Sequence, residues 1–502
     1  MRNLLVIILL IFGLYSISSC RKDFSTIPSF GQLQFSKDTV FLDTIFSNIG
    51  SATYNLKVYN NSNKAITIPT VKLKNGSQSY YRLNVDGIAG NTFENIDVLA
   101  HDSLYIFIET TINYNNVSNP LYVDKILFDN GNNEQEVNLV TLVQDAVFLY
   151  PDKDPITMKI DSLTLDGEPT NIQGRFLKNN ELVFTKDKPY VVYGYIAVPK
   201  GKTMQVQAGT KIYFHNNSGL IIDKGATLKT NGTLEEKVVF EGDRLEHYFN
   251  NIAGQWGTIW MRPGSVNNQL KNTQIKNGII GVLVDSISNA TTPTLTLENT
   301  EIYNNATYGI LGRNTHIKGK NVVIGNAGQA SLACLMGGTY NFTHATFANY
   351  WNTGYRQLPT VLINNHFSYT NNNGETTTKA YDLTEASFTN CIIAGNNDVE
   401  FILDSAKGTE FNYSLKNCMI KFNDVNNTFT NNNELNFDNS NYENIILNGT
   451  TDFKNSRNNE FIIGQKSDAI NHALPTSVNE DILGISRGEK PDIGAYQHIN
   501  FE

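Results

Sequence analysis

Apolar and polar positions alternate in short runs along almost the whole chain. Between residues 31 and 147 such runs fall at 33–35, 54–59, 65–68, 81–85, 104–109, 125–128 and 137–143. Clusters such as Asn60-Asn61-Ser62-Asn63 and Asp129-Asn130-Gly131-Asn132 separate them. Period-two alternation bounded by turn residues predicts half-buried strands, and this number at this spacing predicts a β-sandwich. Residues 148–193, with Pro151, Pro155 and Pro169, read as a linker and as a cover for the open end of the second module. From Gly194 to residue 465 the rhythm changes to brief strands punctuated by Gly or Asn, as in Ala208-Gly209-Thr210-Lys211-Ile212-Tyr213-Phe214 and Lys224-Gly225-Ala226-Thr227-Leu228, with no helical period between them. Parallel strands without crossover helices require a chain that coils, each strand pairing with its copy one circuit on.

A coil implies a repeat. Ile275-Lys276-Asn277 recurs as Ile302-Tyr303-Asn304, Ile324-Gly325-Asn326 and Phe347-Ala348-Asn349. Asn390-Cys391-Ile392-Ile393 recurs as Asn417-Cys418-Met419-Ile420. The 46 residues from Phe347 to Ile393 read as two circuits. The Ile or Phe is expected to point inward. The Asn is expected at a turn, where it tolerates left-handed geometry and can build an amide ladder. The Asn-rich stretch 423–441 reads as a turn excursion. These strands resemble the right-handed parallel β-helix of the pectate-lyase-like superfamily. Ser467-Asp468-Ala469-Ile470-Asn471 and Pro491-Asp492-Ile493-Gly494-Ala495-Tyr496 resemble the closing segment of bacterial β-helix proteins, which implies a C-terminal cap at 466–502. In the first module, Ile49-Gly50-Ser51, Leu56-Lys57-Val58-Tyr59-Asn60-Asn61 and Ser103-Leu104-Tyr105-Ile106 resemble the immunoglobulin-like modules of the spindle-associated and hydin families. The expected class is therefore all-β: an immunoglobulin-like β-sandwich followed by a capped right-handed parallel β-helix.

Composition fits this reading. Asn makes up roughly one residue in seven or eight, far above ordinary usage, and 24 Tyr with 27 Phe suit strands and argue against disorder. A net charge of −9 gives nucleic acid no purchase.

The N-terminus, MRNLLVIILLIFGLYSISSC, has one basic residue, an apolar core too short to span a bilayer, and small residues before Cys20. It resembles a bacterial lipoprotein signal peptide with Ile17-Ser18-Ser19-Cys20 as lipobox, which implies cleavage before a lipidated Cys20 and a membrane anchor. Residues 21–30 would be the tether. Within them, Arg21-Lys22-Asp23-Phe24 resembles the surface-export signal of Bacteroidota lipoproteins. The implied location is the outer membrane, facing outward. The remaining cysteines, Cys334, Cys391 and Cys418, make no disulfide framework. Cys391 and Cys418 read as a buried thiol stack.

For chemistry, Asp285, Glu298 and Glu301 stand alone in residues 257–350, without the carboxylate pair that glycosidic hydrolysis requires. No metal-ligand spacing and no cofactor motif appears. The densest polar cluster is Glu241-Gly242-Asp243-Arg244-Leu245-Glu246-His247-Tyr248, followed by Trp256. Asp243, Arg244, Glu246, His247, Tyr248 and Trp256 are the candidate ligand or partner surface, against the alternative of a surface turn with Trp256 closing the interior. His344 reads as a packed turn residue. Thr39, Thr44, Ser103, Ser162 and Ser286 lie in triplets that resemble the Bacteroidota O-glycosylation sequon. Two functions are compatible with these features: a non-catalytic scaffold whose nearest partners are outer-membrane proteins, such as a β-barrel complex for uptake, secretion or barrel assembly, or a protein that binds or degrades polysaccharide.

Overall fold

The computed structural model describes residues 25–285, 291–371 and 373–501, which form two compact units meeting at Asp145/Ala146. Residues 1–24, on which the expected leader, the lipidated Cys20 and the expected export signal fall, and Ser286 lie outside the described residues. Regular structure is almost entirely strand, with only short 3-10 turns.

In the first unit two sheets share one core. One sheet runs Gln34–Phe35, Tyr54–Asn60, Asp102–Thr110, Tyr81–Val85 and Ile88–Gly90. The other is built on Ile66–Leu73, Leu121–Phe128, Gln135–Gln144 and Thr39–Phe46, with Thr92–Val98 also on Ile66–Leu73. The predicted alternation is realised: Leu56, Val58, Ile106 and Ile108 from the first sheet meet Ile68, Val71, Ile126 and Val137 from the second in one buried cluster. Residues 27–30 belong to this unit and not to a tether. Ile27–Pro28 pairs in parallel with Ile66–Thr67, and the buried Ser29 hydroxyl donates to Asp129.

In the second unit one sheet of twenty-five described strands is overwhelmingly parallel, and each strand typically pairs with the third one after it. Tyr190–Val192, Lys211–Phe214 and Val238–Gly242 succeed one another in this way, as do Tyr195–Val198, Gly219–Ile222 and Ile259–Met261. Inward positions therefore stack in register. Phe240, Ile275, Ile302, Ile324, Phe347, Ile393 and Ile420 form one such column, all without exposure.

Three expectations about this unit are corrected. Phe347 pairs directly with Ile393, so the 46 residues between them make one circuit and not two. The extra length goes into excursions, one of them the exposed hairpin His366–Thr370 with Thr376–Ala380. Parallel pairing starts at Val147–Leu149 with Tyr190–Val192, well before Gly194, so residues 148–193 supply strands as well as a join. The two closing segments also exchange roles. Phe429, Leu435 and Phe437 of the Asn-rich excursion pack onto the core beside Tyr442 of the last inward column. Residues 466–501 instead lie along the side of the coil. His472 O accepts from Asn417, Leu474 pairs with Asn390, Arg487 donates to Asn321, and Ala495 N donates to Thr346 Oγ1.

The side that this strap covers is a corner column. Asn272, Asn299, Asn321, His344, Asn390, Asn417 and Asn444 all have φ between 44° and 57°. Side-chain amides are the cheapest non-glycine groups to hold in that region and can bond their own kind one circuit away. Asn299 donates to Asn272 (3.1 Å), Asn321 to Asn299 (3.0 Å) and Asn444 to Asn417 (3.4 Å). A second column holds Asn277, Asn304 and Asn326 at φ 68°, 52° and 50°. Asn349 departs from it: buried, it instead pairs both ways with the Ala327 backbone.

Candidate functional site

The cluster at 241–256 is divided by the structure into separate roles. Asp243 ends a register column that begins with Tyr150, Tyr193 and His215. The Tyr150 and Tyr193 rings stack at 4.9 Å, Tyr193 and His215 at 4.4 Å, and His215 Nδ1 meets Asp243 Oδ2 at 2.7 Å. Burial raises the Asp243 carboxyl above its usual range while His215 opposes the rise, and burial and Asp243 push the Tyr193 phenol up to about 12. Arg244 pairs with Glu246 at 2.9 Å and lies over the Phe249 ring. His247 meets Asn250, and Tyr248 is 77% exposed. Trp256 leaves the candidate surface. It is 0% exposed, stacks on Phe214 at 4.4 Å and donates Nε1–H to Lys276 O. An indole this large, stacked on the inward-facing Phe214, is better buried than solvated.

The acids that stand alone in the sequence are not alone in space, because stacking brings bases from adjacent circuits. Asp285 accepts both bonds from Arg313 (2.6 and 2.7 Å) and one from Trp260 Nε1. Glu298 sits between Lys271 and Lys320, at 3.6 and 3.2 Å. Glu301 accepts from Lys237 and from the Tyr303 hydroxyl at 2.5 and 2.8 Å. Deeper still, Arg356 and Glu400 form a pair of fully buried side chains at 2.5 Å. Among the described residues no cluster of His, Cys, Asp and Glu has a metal-binding arrangement.

Cys391 and Cys418 are free, buried and in register, each bonding the carbonyl two residues back (Thr389 O, 3.3 Å; Lys416 O, 3.4 Å). Thr273 and Thr300 occupy the same column and make the same bond. These thiols serve as packed corner donors, and burial holds the Cys391 thiol well above its usual range. Of the described sequon residues, Ser162 is exposed and Thr39, Thr44 and Ser103 are half-buried.

Composition did not point to a groove along one side of the coil. Two hollows of about 470 and 590 Å³ share Tyr350. The first is lined by Asn251, Asn304, Trp351, Asn352, Arg457 and Asn458, with no acid, and the second includes Lys421, Asn423, Asn448 and Asp452. The only signal for it in the sequence is Tyr350-Trp351, directly after the repeat at Phe347.

His344 fills the place that Asn321 and Asn390 hold on neighbouring circuits, at φ 53°. Burial, then the nearby Arg487 charge, lowers its pKa from 6.5 to about 3. In that window the unfolded chain binds a proton that the folded chain refuses, so stability should fall as pH drops from 6.5 towards 3, by at most about 1.4 kcal/mol per unit. His344→Asn should flatten this slope in urea titrations run at pH 4 and pH 7. An unchanged slope would assign acid sensitivity elsewhere.

No family model matches the chain, and no curated protein matches it. Solved structures that align with part of it include the following two. A family 123 glycoside hydrolase from Clostridium perfringens, analysed for glycolipid glycan hydrolysis, is 10% identical over 28% of this chain and 26% of its own, with a TM-score of 0.18. The major pilin subunit of Bacillus cereus is 12% identical over 28% of this chain and 52% of its own, with a TM-score of 0.15. Likeness at this level carries no argument about fold or function.

Proposed function

We propose that this chain is an outward-facing outer-membrane lipoprotein, anchored through Cys20, that acts as a non-catalytic interaction scaffold. In this reading the first unit is an immunoglobulin-like sandwich and the second a capped right-handed parallel β-helix. The observation that carries it is the pairing of acids with bases across circuits. General acid–base hydrolysis needs two carboxylates facing one substrate, whereas Asp285, Glu298 and Glu301 are each held by a Lys or Arg. A rigid coil with long, side-chain-lined faces suits large contacts, and the anchor makes membrane proteins, such as an outer-membrane β-barrel complex, the nearest partners. Gentle detergent extraction of the tagged protein should co-purify a β-barrel protein in stoichiometric amount. A protein that emerges alone and cleaves polysaccharide would overturn the reading. Cys20→Ala should abolish membrane anchoring in cell fractionation, and retention of the parent's processing and anchoring would remove the lipid anchor from the proposal.

The groove favours a second reading, glycan binding. An indole, several side-chain amides and an exposed guanidinium converge there, a combination that stacks on and hydrogen-bonds sugar rings. Under this reading Trp351→Ala should lower glycan-array binding at least tenfold while Trp256→Ala impairs folding. Equal binding by parent and Trp351→Ala would dismiss it.

A further inference from the structure

In the first unit, the sheet centred on Asp102–Thr110 turns one face to the core and the other to solvent. Leu56, Val58, Leu104, Ile106 and Ile108 point inward. Successive side chains of a strand alternate between faces, so Asn55, Lys57, Tyr59, Tyr105 and Phe107 share the outer one. None of these is aliphatic. Tyr105 and Phe107, on the middle strand of the five, are 47% and 44% exposed. Their rings lie within 13° of parallel, with centroids 6.3 Å apart. Aromatic surface gathered in water at the centre of a sheet face marks a place of contact.

The border of the two rings is polar. Asn55 and Asn84 stand opposite Phe107 on the two neighbouring strands, and Lys57 stands opposite Tyr105. Lys57 Nζ lies over the Tyr105 and Tyr59 rings, at 5.1 and 5.3 Å, and among the described residues it meets no carboxylate. The other cation of this face, Arg82, is paired with Glu109 at 3.7 Å. One positive charge, at Lys57, is therefore uncompensated, and it calls for a negatively charged ligand. The rings call for one with apolar faces, and the amides for one with a hydrogen-bonding edge. A sugar ring has this form: its C–H faces pack on aromatic rings while its hydroxyls bond amides at the rim. A small molecule needs a concave pocket to be enclosed. A flat face covers only one side of its ligand, which suits an extended chain held along its length.

We propose that this face binds a linear polysaccharide bearing negative charge, as carboxylate or sulfate ester. Its sugars lie on Tyr105 and Phe107, its hydroxyls meet Asn55 and Asn84, and its charged group meets Lys57. The site belongs wholly to the first unit. It is independent of the groove in the second unit and of the scaffold reading.

Biolayer interferometry of the full chain tests it, on end-biotinylated hyaluronan, dextran sulfate and neutral dextran at physiological ionic strength. Saturable binding to hyaluronan identifies a carboxylate ligand, and to dextran sulfate a sulfate ester. Either supports the proposal, and the chain's net charge of −9 opposes retention by charge alone. The double variant Tyr105→Ala/Phe107→Ala should weaken binding at least about tenfold. It should still unfold cooperatively on heating, since both rings are already nearly half exposed. Lys57→Gln should weaken binding severalfold and reduce the preference for charged over neutral chains. If the double variant fails to fold, the Lys57→Gln result decides. No binding to either charged chain, or equal binding to dextran, would overturn the proposal. So would undiminished binding by the folded double variant, and loss with Trp351→Ala in its place would put the glycan in the groove. A membrane protein held by the parent and released by the double variant would give this face to a protein partner and overturn the proposal as well.

Discussion

Ile324→Asp should cost at least about 4 kcal/mol in urea unfolding followed by tryptophan fluorescence, enough to leave little folded protein. Ile324 lies between Ile302 and Phe347 in strict register, and none of the three has any exposure. A carboxylate there loses the packing of a buried aliphatic chain and meets no hydrogen-bond donor, so transfer, cavity and desolvation costs add. Ile302→Asp should behave alike. Lys276→Ser, one residue beyond the same column, removes a pair with Glu241 at 2.7 Å and should cost about 1 kcal/mol or less. Similar losses at Ile324 and Lys276 would mean that the column does not carry the fold.

Arg356→Leu should cost about 3–5 kcal/mol, and Glu400→Leu about as much, because each leaves one charge buried without its counter-ion. The network is dense. Arg356 donates to both Glu400 oxygens, Leu358 O, Asn349 O and Asn396 Oδ1. Glu400 also accepts from Thr360 N, Thr360 Oγ1 and Asn397 N. The double variant should recover most of the loss, since two apolar side chains leave no buried charge. Additive losses in the double-mutant cycle would show that the carbonyl and amide contacts, and not the ion pair, set the cost.

The two-sheet core of the first unit and the inward column of the second were legible because alternation and the repeating Ile and Asn act locally, one residue at a time. Asn277, Asn304 and Asn326 announce their left-handed turns for the same reason. What stayed hidden depends on length or on distant contacts. The segment between Phe347 and Ile393 happens to equal two average circuits, so arithmetic could not separate two turns of the coil from one turn with a hairpin. Trp256 comes after a charged cluster in sequence, but its stack on Phe214 inside the core decides its burial. Asp285 and Arg313 are 28 residues apart and meet only because strands stack. The burial of His344 near Arg487 needs the strap laid on its side, whereas the same residues in an end cap would never meet.

That strap also constrains how the protein can change by descent. Coiled repeat proteins ordinarily gain or lose copies readily, since each copy contacts only its neighbours. Here Tyr496 packs beside Tyr303, Arg487 reaches Asn321, Leu474 holds Asn390 and His472 holds Asn417. These fixed points are set out along the axis at intervals of about 4.8 Å per circuit. Deleting or duplicating a circuit between Tyr303 and Asn417 would shift every later point out of reach at once. The strap is thus a gauge that locks the copy number of the span it crosses. Length variation among descendants should instead accumulate in the circuits before Lys211, upstream of Leu234, the residue that Gly484 of the strap lies against.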